Sequence, residues 1–415
     1  MNSQKISIVI PTRNRPDYLV DSVAIALAHC ASAEVVVCDN SDTDSLRHLL
    51  AEHISGGRVI YEHCAELRSV VQNFEHALSL ATGEWLIFIG DDDAIGPGLS
   101  EIVEWATQHG VEAVVAYGDT FTTSYYWPGV RSKYYGDAYA SRLFVWSFLG
   151  KTIPIDGVAE LKRVSARLGG NLGALPRAYH GLVSKSLLDR ILKRHGHVFG
   201  GVSPDIFSAA LIAANSRKSV LVDYPFVIPG TSGVSTAGQG AERSDRAELR
   251  QTDHIARFGT GLVWDRRIPE FYAPQTVWAY SLLKALDELP DLRIEPAYGR
   301  LYARCLLYCR AYNGTTWRTI CEQSQGMARL GLLASTFKGI GAELTELAVR
   351  LARRLAAPRA MGNAHRIENL DTISAAYAAL VDFIGSSGRT LKLPTDGPQA
   401  LGKHGRRSVC GRQAD

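Results

Sequence analysis

Three consecutive carboxylates, Asp91, Asp92 and Asp93, directly follow the apolar run 84–89 (EWLIFI) and are the sharpest chemical signal in the chain. Adjacent carboxylates repel and raise one another's pKa unless a cation or hydrogen bonds compensate. Hard oxygen ligands suit Mg2+ or Mn2+, and an octahedral ion keeps positions open for substrate phosphates. The plainer reading is a turn capping a helix near Gly98; the strand immediately before the triplet favours the metal. Two other polar loops also follow apolar runs: Pro11-Thr12-Arg13-Asn14-Arg15 after the first, and Asp39-Asn40-Ser41-Asp42-Thr43-Asp44 after the second. None is a G-x-G-x-x-G or G-x-x-x-x-G-K-[ST] loop, so neither dinucleotide binding nor a P-loop is supported.

The elements that must position these loops are legible from periodicity. Residues 5–10, 34–38, 58–61, 84–89 and 111–117 read as strands, and 16–29, 43–52, 66–81 and 98–109 as helices. Near-continuous apolar strands alternating with helices imply a doubly wound, mostly parallel α/β sheet covered on both faces. In such a sheet ligands bind beyond the carboxyl ends of the strands, which is where the three polar loops fall. From 119 to 150 the chain turns aromatic; this stretch suits stacking on a sugar or a domain interface. A Gly/Ser-rich segment at 229–240 is expected to be a loop that closes over the site or a plain linker. Beyond 269 the pattern is helical up to 385, and the basic end from 386 is expected to lack structure. The expected division is 1–240, an α/β domain; 241–268, a linker; 269–385, an all-helical domain; and 386–415, a tail.

Composition narrows the function class. The chain has 415 residues, 46% hydrophobic and 21% charged, with net charge +3, so no global field argues for nucleic acid. No apolar run approaches the roughly 20 residues needed to span a bilayer, and the opening residues lack a signal-peptide pattern. A cytoplasmic location is expected. The apolar helical stripe at 327–357, carrying Lys338, Arg350, Arg353 and Arg354, allows a peripheral seat at the inner face of a membrane. The seven cysteines show no paired C-x-x-C framework; Cys305 and Cys309 are expected to be core thiols.

The ordered motifs resemble the family 2 glycosyltransferases of the GT-A fold. Ile8-Val-Ile-Pro-Thr-Arg-Asn-Arg-Pro-Asp-Tyr-Leu19 looks like their opening, Val36-Val-Cys-Asp-Asn-Ser-Asp-Thr-Asp44 like their second-strand motif, and Ile87-Phe-Ile-Gly-Asp-Asp-Asp93 like their metal-binding D-x-D region. The resemblance implies inverting transfer of a sugar from a nucleoside-diphosphate donor to an acceptor hydroxyl (a sugar, glycan or lipid-linked acceptor) with Mn2+ or Mg2+, as in polysaccharide or glycoconjugate synthesis. By position, Pro11, Thr12, Arg13, Arg15, Asp39, Asn40 and Asp91 would serve the donor nucleotide, and Asp92, supported by Asp93, the metal. The family commonly has Asp where this chain has Gly90. Inverting transfer needs a general base, in the family an acid opening a helix; Asp205, after Pro204, stands there at a helix start that favours its ionised form. His180 and His254 are candidates for the acceptor or metal side, whereas His195 and His197 are expected at the surface. The rival readings are a nucleotidyltransferase and a non-catalytic sugar-nucleotide-binding scaffold.

Overall fold

The computed structural model describes residues 5–235, 246–323, 325–356 and 359–398. The chain begins β1 (Ile6–Thr12), α1 (Pro16–His29), β2 (Ala33–Asp39), α2 (Ser45–Leu49), α3 (Ala51–Ser55), β3 (Val59–His63), α4 (Val70–Leu80), β4 (Trp85–Phe88), β5 (Ala94–Ile95), α5 (Leu99–Gln108) and β6 (Ala113–Val115). It continues β7 (Thr123–Tyr126), β8 (Arg142–Val145), β9 (Thr152–Ile155), α6 (Gly157–Ser165), β10 (Gly181–Ser184), α7 (Lys185–His195), α8 (Pro204–Asn215), β11 (Ser219–Val222), β12 (Val227–Ile228) and β13 (Gly230–Thr231). Then follow α9 (Asp253–Ala256), α10 (Pro274–Asp287), α11 (Tyr298–Tyr308), α12 (Asn313–Gln323), α13 (Gly326–Ala356), β14 (His365–Ile367) and α14 (Ile373–Ser387).

The main sheet has the order β3-β2-β1-β4-β10-β6-β11-β9. Strands β3, β2, β1 and β4 pair in parallel, while β10 runs against both β4 and β6 and β9 runs against β11. Alternate side chains of each strand point to opposite faces. Ile8, Ile10, Val35, Val37 and Ile87 join one core with α1 and α5, while Val9, Val36, Leu86 and Phe88 join the other with α4 and α8. That double burial is why these strands read as unbroken apolar runs rather than alternating ones. On the second face Phe88 lies 5.5 Å from Phe74 and 5.0 Å from Phe199, ring centre to ring centre.

Most expected boundaries agree, and the differences have local causes. The helix expected over 66–81 begins at Val70 because Ser69 and Gln72 form a reciprocal capping box. The helix expected over 43–52 is broken at Leu50 into α2 and α3. The aromatic stretch becomes a second, small sheet of order β13-β7-β8-β14, in which Tyr125, Trp127 and Phe144 are buried.

The later helices divide between the two faces. Helices α10 and α11 join the core of α4 and α8, whereas α14 packs on α1, with Tyr377 stacked on His29 at 4.1 Å. The stretch expected to be wholly helical therefore contains one strand, β14, which returns to pair with β8. The tail expected to lack structure from 386 stays packed as far as 398: the Trp105 indole donates to the Pro394 carbonyl at 2.8 Å, and Lys392 N–H to Gly150 at 2.8 Å. The rest of that tail, residue 357 of the apolar stripe, 236–240 of the Gly/Ser segment and 241–245 of the expected linker lie outside the described residues.

Candidate functional site

Because β2, β1 and β4 are adjacent and parallel, their carboxyl ends place the three polar loops side by side. Thr12 pairs with Asp39 in register, and Asn40 N–H donates to the Thr12 carbonyl at 3.0 Å. Asp39 accepts Ser41 N–H at 2.9 Å, a local Asx turn, and lies 2.9 Å from the Tyr61 hydroxyl. Asn40 is buried; its amide donates to the Cys64 and Glu66 carbonyls and its oxygen accepts Arg68 N–H. Asn40 therefore fastens the loop. Arg13, partly exposed, donates to the Asn40 carbonyl at 2.6 Å and to Asp42 at 2.8 Å. Pro11 is half-buried at the end of β1.

The three aspartates are buried, and each faces a different partner. Asp91 accepts from the Thr12 hydroxyl at 2.6 Å and from Arg15 at 2.8 Å. Burial raises its pKa, against the pull of Arg15 and Thr12. Asp93 accepts from Gly90 N–H at 2.6 Å, Gly230 N–H at 2.7 Å, the Tyr179 hydroxyl at 3.0 Å and His180 Nε2 at 2.6 Å. Burial acts to raise Asp93, but His180 and the two backbone N–H groups outweigh it and hold the carboxyl below its usual range. Asp92 Oδ2 accepts from Ser232, from N–H at 3.0 Å and from the hydroxyl at 2.7 Å, while Oδ1 lies 3.8 Å from Arg15. Burial and the neighbouring Asp93 and Asp91 push Asp92 up to about 7.

The Gly/Ser segment is thus attached where it begins. A Cβ at Gly230 would stand 1.6 Å from the Asp92 carbonyl oxygen, so only glycine admits this approach. A Cβ at Gly90 would stand 2.9 Å from both Asp93 Oδ2 and the Tyr179 hydroxyl and 3.1 Å from Asp92 Oδ1. An aspartate at position 90 would crowd the groups that now surround it.

His180 reaches Asp93 through an uncommon backbone. Tyr179 bridges Phe88 in parallel, with Phe88 N–H donating to Ala178 and His180 N–H to Phe88, both at 2.9 Å. At His180, φ is +58°, a left-handed conformation rare for a residue with a Cβ, and there the chain turns from that bridge into antiparallel β10. With Nε2–H donating to Asp93, Nδ1 accepts from the Tyr117 hydroxyl at 2.7 Å. Arg177, buried, lies 4.5 Å over the Tyr117 ring and donates to the Tyr117 carbonyl.

Asp205 opens α8 and is half-buried, accepting from the Ser203 hydroxyl at 2.5 Å. Burial raises the pKa of the Tyr117 and Tyr179 hydroxyls, and the charges of Asp93 and Asp205 act in the same direction. His254, on α9, lies 2.7 Å from the Val202 carbonyl, and burial lowers its pKa. The Val202 contact occupies its Nε2.

Sequence reasoning did not single out Tyr117, Tyr179, Ser22 or Ser232. Ser22 Oγ donates to the Asp91 carbonyl at 3.0 Å and also reaches the Asp93 carbonyl, from within α1. The Trp127 indole, inside the aromatic stretch, donates to the Asp92 carbonyl at 2.9 Å. His195 and His197 share Glu288, at 3.2 and 2.9 Å; the His195 ring, expected at the surface, is covered by the protein. Cys305 and Cys309 are buried. Among the described residues the metal-capable ligand atoms gathered within 4.8 Å belong to Glu62, Cys64 and His76, not to the aspartate triplet. For the triplet, the donor set still fits a divalent cation through Asp92 Oδ1: three buried carboxylates face one arginine and one histidine, and one or two carboxylates plus donor phosphates suffice for Mg2+.

The chain is 29% identical over 137 residues to the PGL/p-HBAD biosynthesis glycosyltransferases of Mycobacterium bovis and Mycobacterium tuberculosis, a match covering 31% of this chain and 52% of theirs. It thus spans about half the length of these curated relatives. Among solved structures it is similar to S. aureus TarS 1-349 in complex with UDP-GlcNAc (TM-score 0.44, 14% identity, 73% of this chain and 71% of that one). It is also similar to the mannosyltransferase PcManGT from Pyrobaculum calidifontis in complex with GDP-Man and Mn2+ (TM-score 0.38, 15% identity, 94% and 89%). Residues 7–155, which hold β1, β2, β4 and all three polar loops, match the model of glycosyl transferase family 2.

Proposed function

We propose that this chain is an inverting, divalent-metal-dependent glycosyltransferase that moves a sugar from a nucleoside-diphosphate donor to a hydroxyl of a sugar, glycan or lipid-linked acceptor. The observation that carries this is the meeting of the aspartate triplet with Thr12 and Arg15 at the end of β1, beside the loop after β2 that Arg13 and Asn14 hold.

The nucleoside end of the donor lies against Pro11, Thr12, Arg13 and Asp39 in this reading. Arg15, held by Asp91, stands beside the diphosphate. Asp92, through Oδ1, and the donor's phosphate oxygens would hold Mn2+ or Mg2+, which when bound offsets charge on the departing nucleoside diphosphate. The Asp205 carboxylate takes the acceptor hydroxyl's proton as its oxygen bonds to the anomeric carbon, and the bond from that carbon to the phosphate oxygen breaks. Tyr117, His180 and Asp93 form one hydrogen-bonded line that keeps Asp93 ionised and fixed. Gly230 and Ser232 anchor the start of the Gly/Ser segment on the triplet.

The test is thermal stability with a panel of nucleoside diphosphates, with and without Mn2+, followed by transfer and donor-hydrolysis assays with the matching sugar nucleotides. A Mn2+-dependent rise with one nucleotide supports the reading, because ligands that bind only the folded state raise its stability. A folded sample that responds to none of them, and hydrolyses no donor, overturns it.

A further inference from the structure

Helix α13 holds to the rest of the chain along one face. There Thr336, Gly339 and Glu343 are buried, and a Cβ on Gly339 would stand 2.6 Å from the Gly299 carbonyl, so α13 and α11 meet backbone to backbone. Glu343 completes the attachment, accepting from Arg300 at 2.6 Å and Arg304 at 2.7 Å. The packing that a helix needs is met on that side.

A second face of α13 is apolar and open. Leu330, Phe337, Leu344 and Leu351 recur every seven residues, about two turns, and so form a line along the helix. All four are exposed, Phe337 at 63%, and Leu355 continues the line at 75%. Soluble surfaces rarely leave so long an apolar strip uncovered. The fully exposed charges on the helix are cationic, Lys338, Arg350, Arg353 and Arg354, whereas buried Glu343 and partly exposed Glu346 are paired with Arg300, Arg304 and Arg167. A second copy of this chain would set those cations against their own kind. An anionic lipid surface offers the opposite charge and an apolar interior together. No described helix is long and apolar enough to cross a membrane.

We infer that α13 lies on the surface of a bilayer containing anionic lipid, its leucine-phenylalanine line at the boundary of headgroups and acyl chains and its lysine and arginines among the headgroups. The inference stands apart from the catalytic reading, because lipid binding is measured without donor or acceptor.

The experiment is flotation of the full chain with phosphatidylcholine vesicles, with and without phosphatidylglycerol. The chain is expected to float with the anionic vesicles only and to be released by high salt. The Arg353→Gln/Arg354→Gln variant should weaken partitioning about fivefold for each charge removed, and Phe337→Glu/Leu344→Glu should abolish it. Phe337→Trp, a milder change, should shift its emission to the blue on anionic vesicles. Circular dichroism melts establish that each variant is folded. No flotation with anionic vesicles, or flotation undiminished in the folded double-glutamate variant, overturns the inference. So does a halving of solution mass in that variant without lipid binding, which would assign the face to a second copy.

Discussion

Placing a methyl group on Gly90 should damage the site more than its small size suggests. The φ angle of Gly90 lies outside the left-handed region, so the backbone tolerates alanine; the cost is steric. The new Cβ would stand 2.9 Å from Asp93 Oδ2, 2.9 Å from the Tyr179 hydroxyl and 3.1 Å from Asp92 Oδ1, closer than side-chain carbons normally sit. None of the three can yield freely: Asp93 holds His180 and two backbone N–H groups, Tyr179 is bonded to Asp93, and Asp92 is bonded to Ser232. Overpacking of this kind costs about 1–3 kcal/mol, which placed on the reactive geometry is a loss of roughly 5- to 150-fold in kcat/KM. Gly90→Asp should be worse, because it adds a fourth carboxylate to three that are already crowded. Initial rates of transfer at fixed Mn2+, alongside thermal melts to establish folding, measure the effect. Wild-type kcat/KM in Gly90→Ala would refute the claim that these contacts hold the triplet for catalysis. A gain in Gly90→Asp would show that the missing family acid is a deficit.

Asp205→Asn should lower kcat by about 10²- to 10⁴-fold while the Mn2+-dependent thermal shift with nucleotide stays unchanged; normal turnover in a rate assay would remove Asp205 from the mechanism. Glu343→Ala should cost about 3–5 kcal/mol of stability in urea titrations, because it strands buried Arg304, whereas Glu346→Ala, more exposed, should cost under about 1 kcal/mol; equal losses would contradict the burial argument. Glu34 tests pH dependence. Burial acts to raise its pKa, but Lys5, Ser7 and Thr82 outweigh that and lower it below 4.5. Its contribution is therefore complete above the unfolded value and fades as pH falls through the lower folded one. The urea midpoints of wild type and Glu34→Gln should differ at pH 7 and converge in strong acid, and a gap that persists there would argue for a packing effect instead.

What could be read from the sequence was whatever is local. β1, β2 and β4 were legible because both faces of each strand are buried, and the loops after them because ligand loops follow parallel strands. Asp205 was placed at a helix start by the Ser-Pro-Asp turn, and α8 does begin there. What was not legible depends on contacts between distant residues. Ser232 meets Asp92 across 140 positions. His180 could be noted as a candidate, but its left-handed turn and its link to Tyr117 follow from strand β10 running against its neighbours, and no periodicity encodes that. The tail read as structureless from its composition, yet residues up to 398 are packed because Trp105 and His109 supply partners that composition does not report.

The compensation within the triplet is uneven, and the unevenness bears on function. Among the described residues Asp91 has a full guanidinium and a hydroxyl, and Asp93 has an imidazole, a phenol and two backbone N–H groups, whereas Asp92 has one serine and a distant arginine. Three equal carboxylates would present a diffuse negative patch. Sorting them this way leaves one oxygen, Asp92 Oδ1, as the place where positive charge is still lacking. The two satisfied neighbours are held by opposite sides of the site: Asp91 by the loop after β1, Asp93 by the chain entering β10. A donor gripping Arg15 and an acceptor pressing on Tyr117 or His180 would therefore both act on Asp92, through the residues beside it. Changes at Thr12 and at Tyr117, on opposite sides of the triplet, should then both register as altered Mn2+ affinity. An effect confined to nucleotide affinity for the first and acceptor affinity for the second would mean that the two sides work independently.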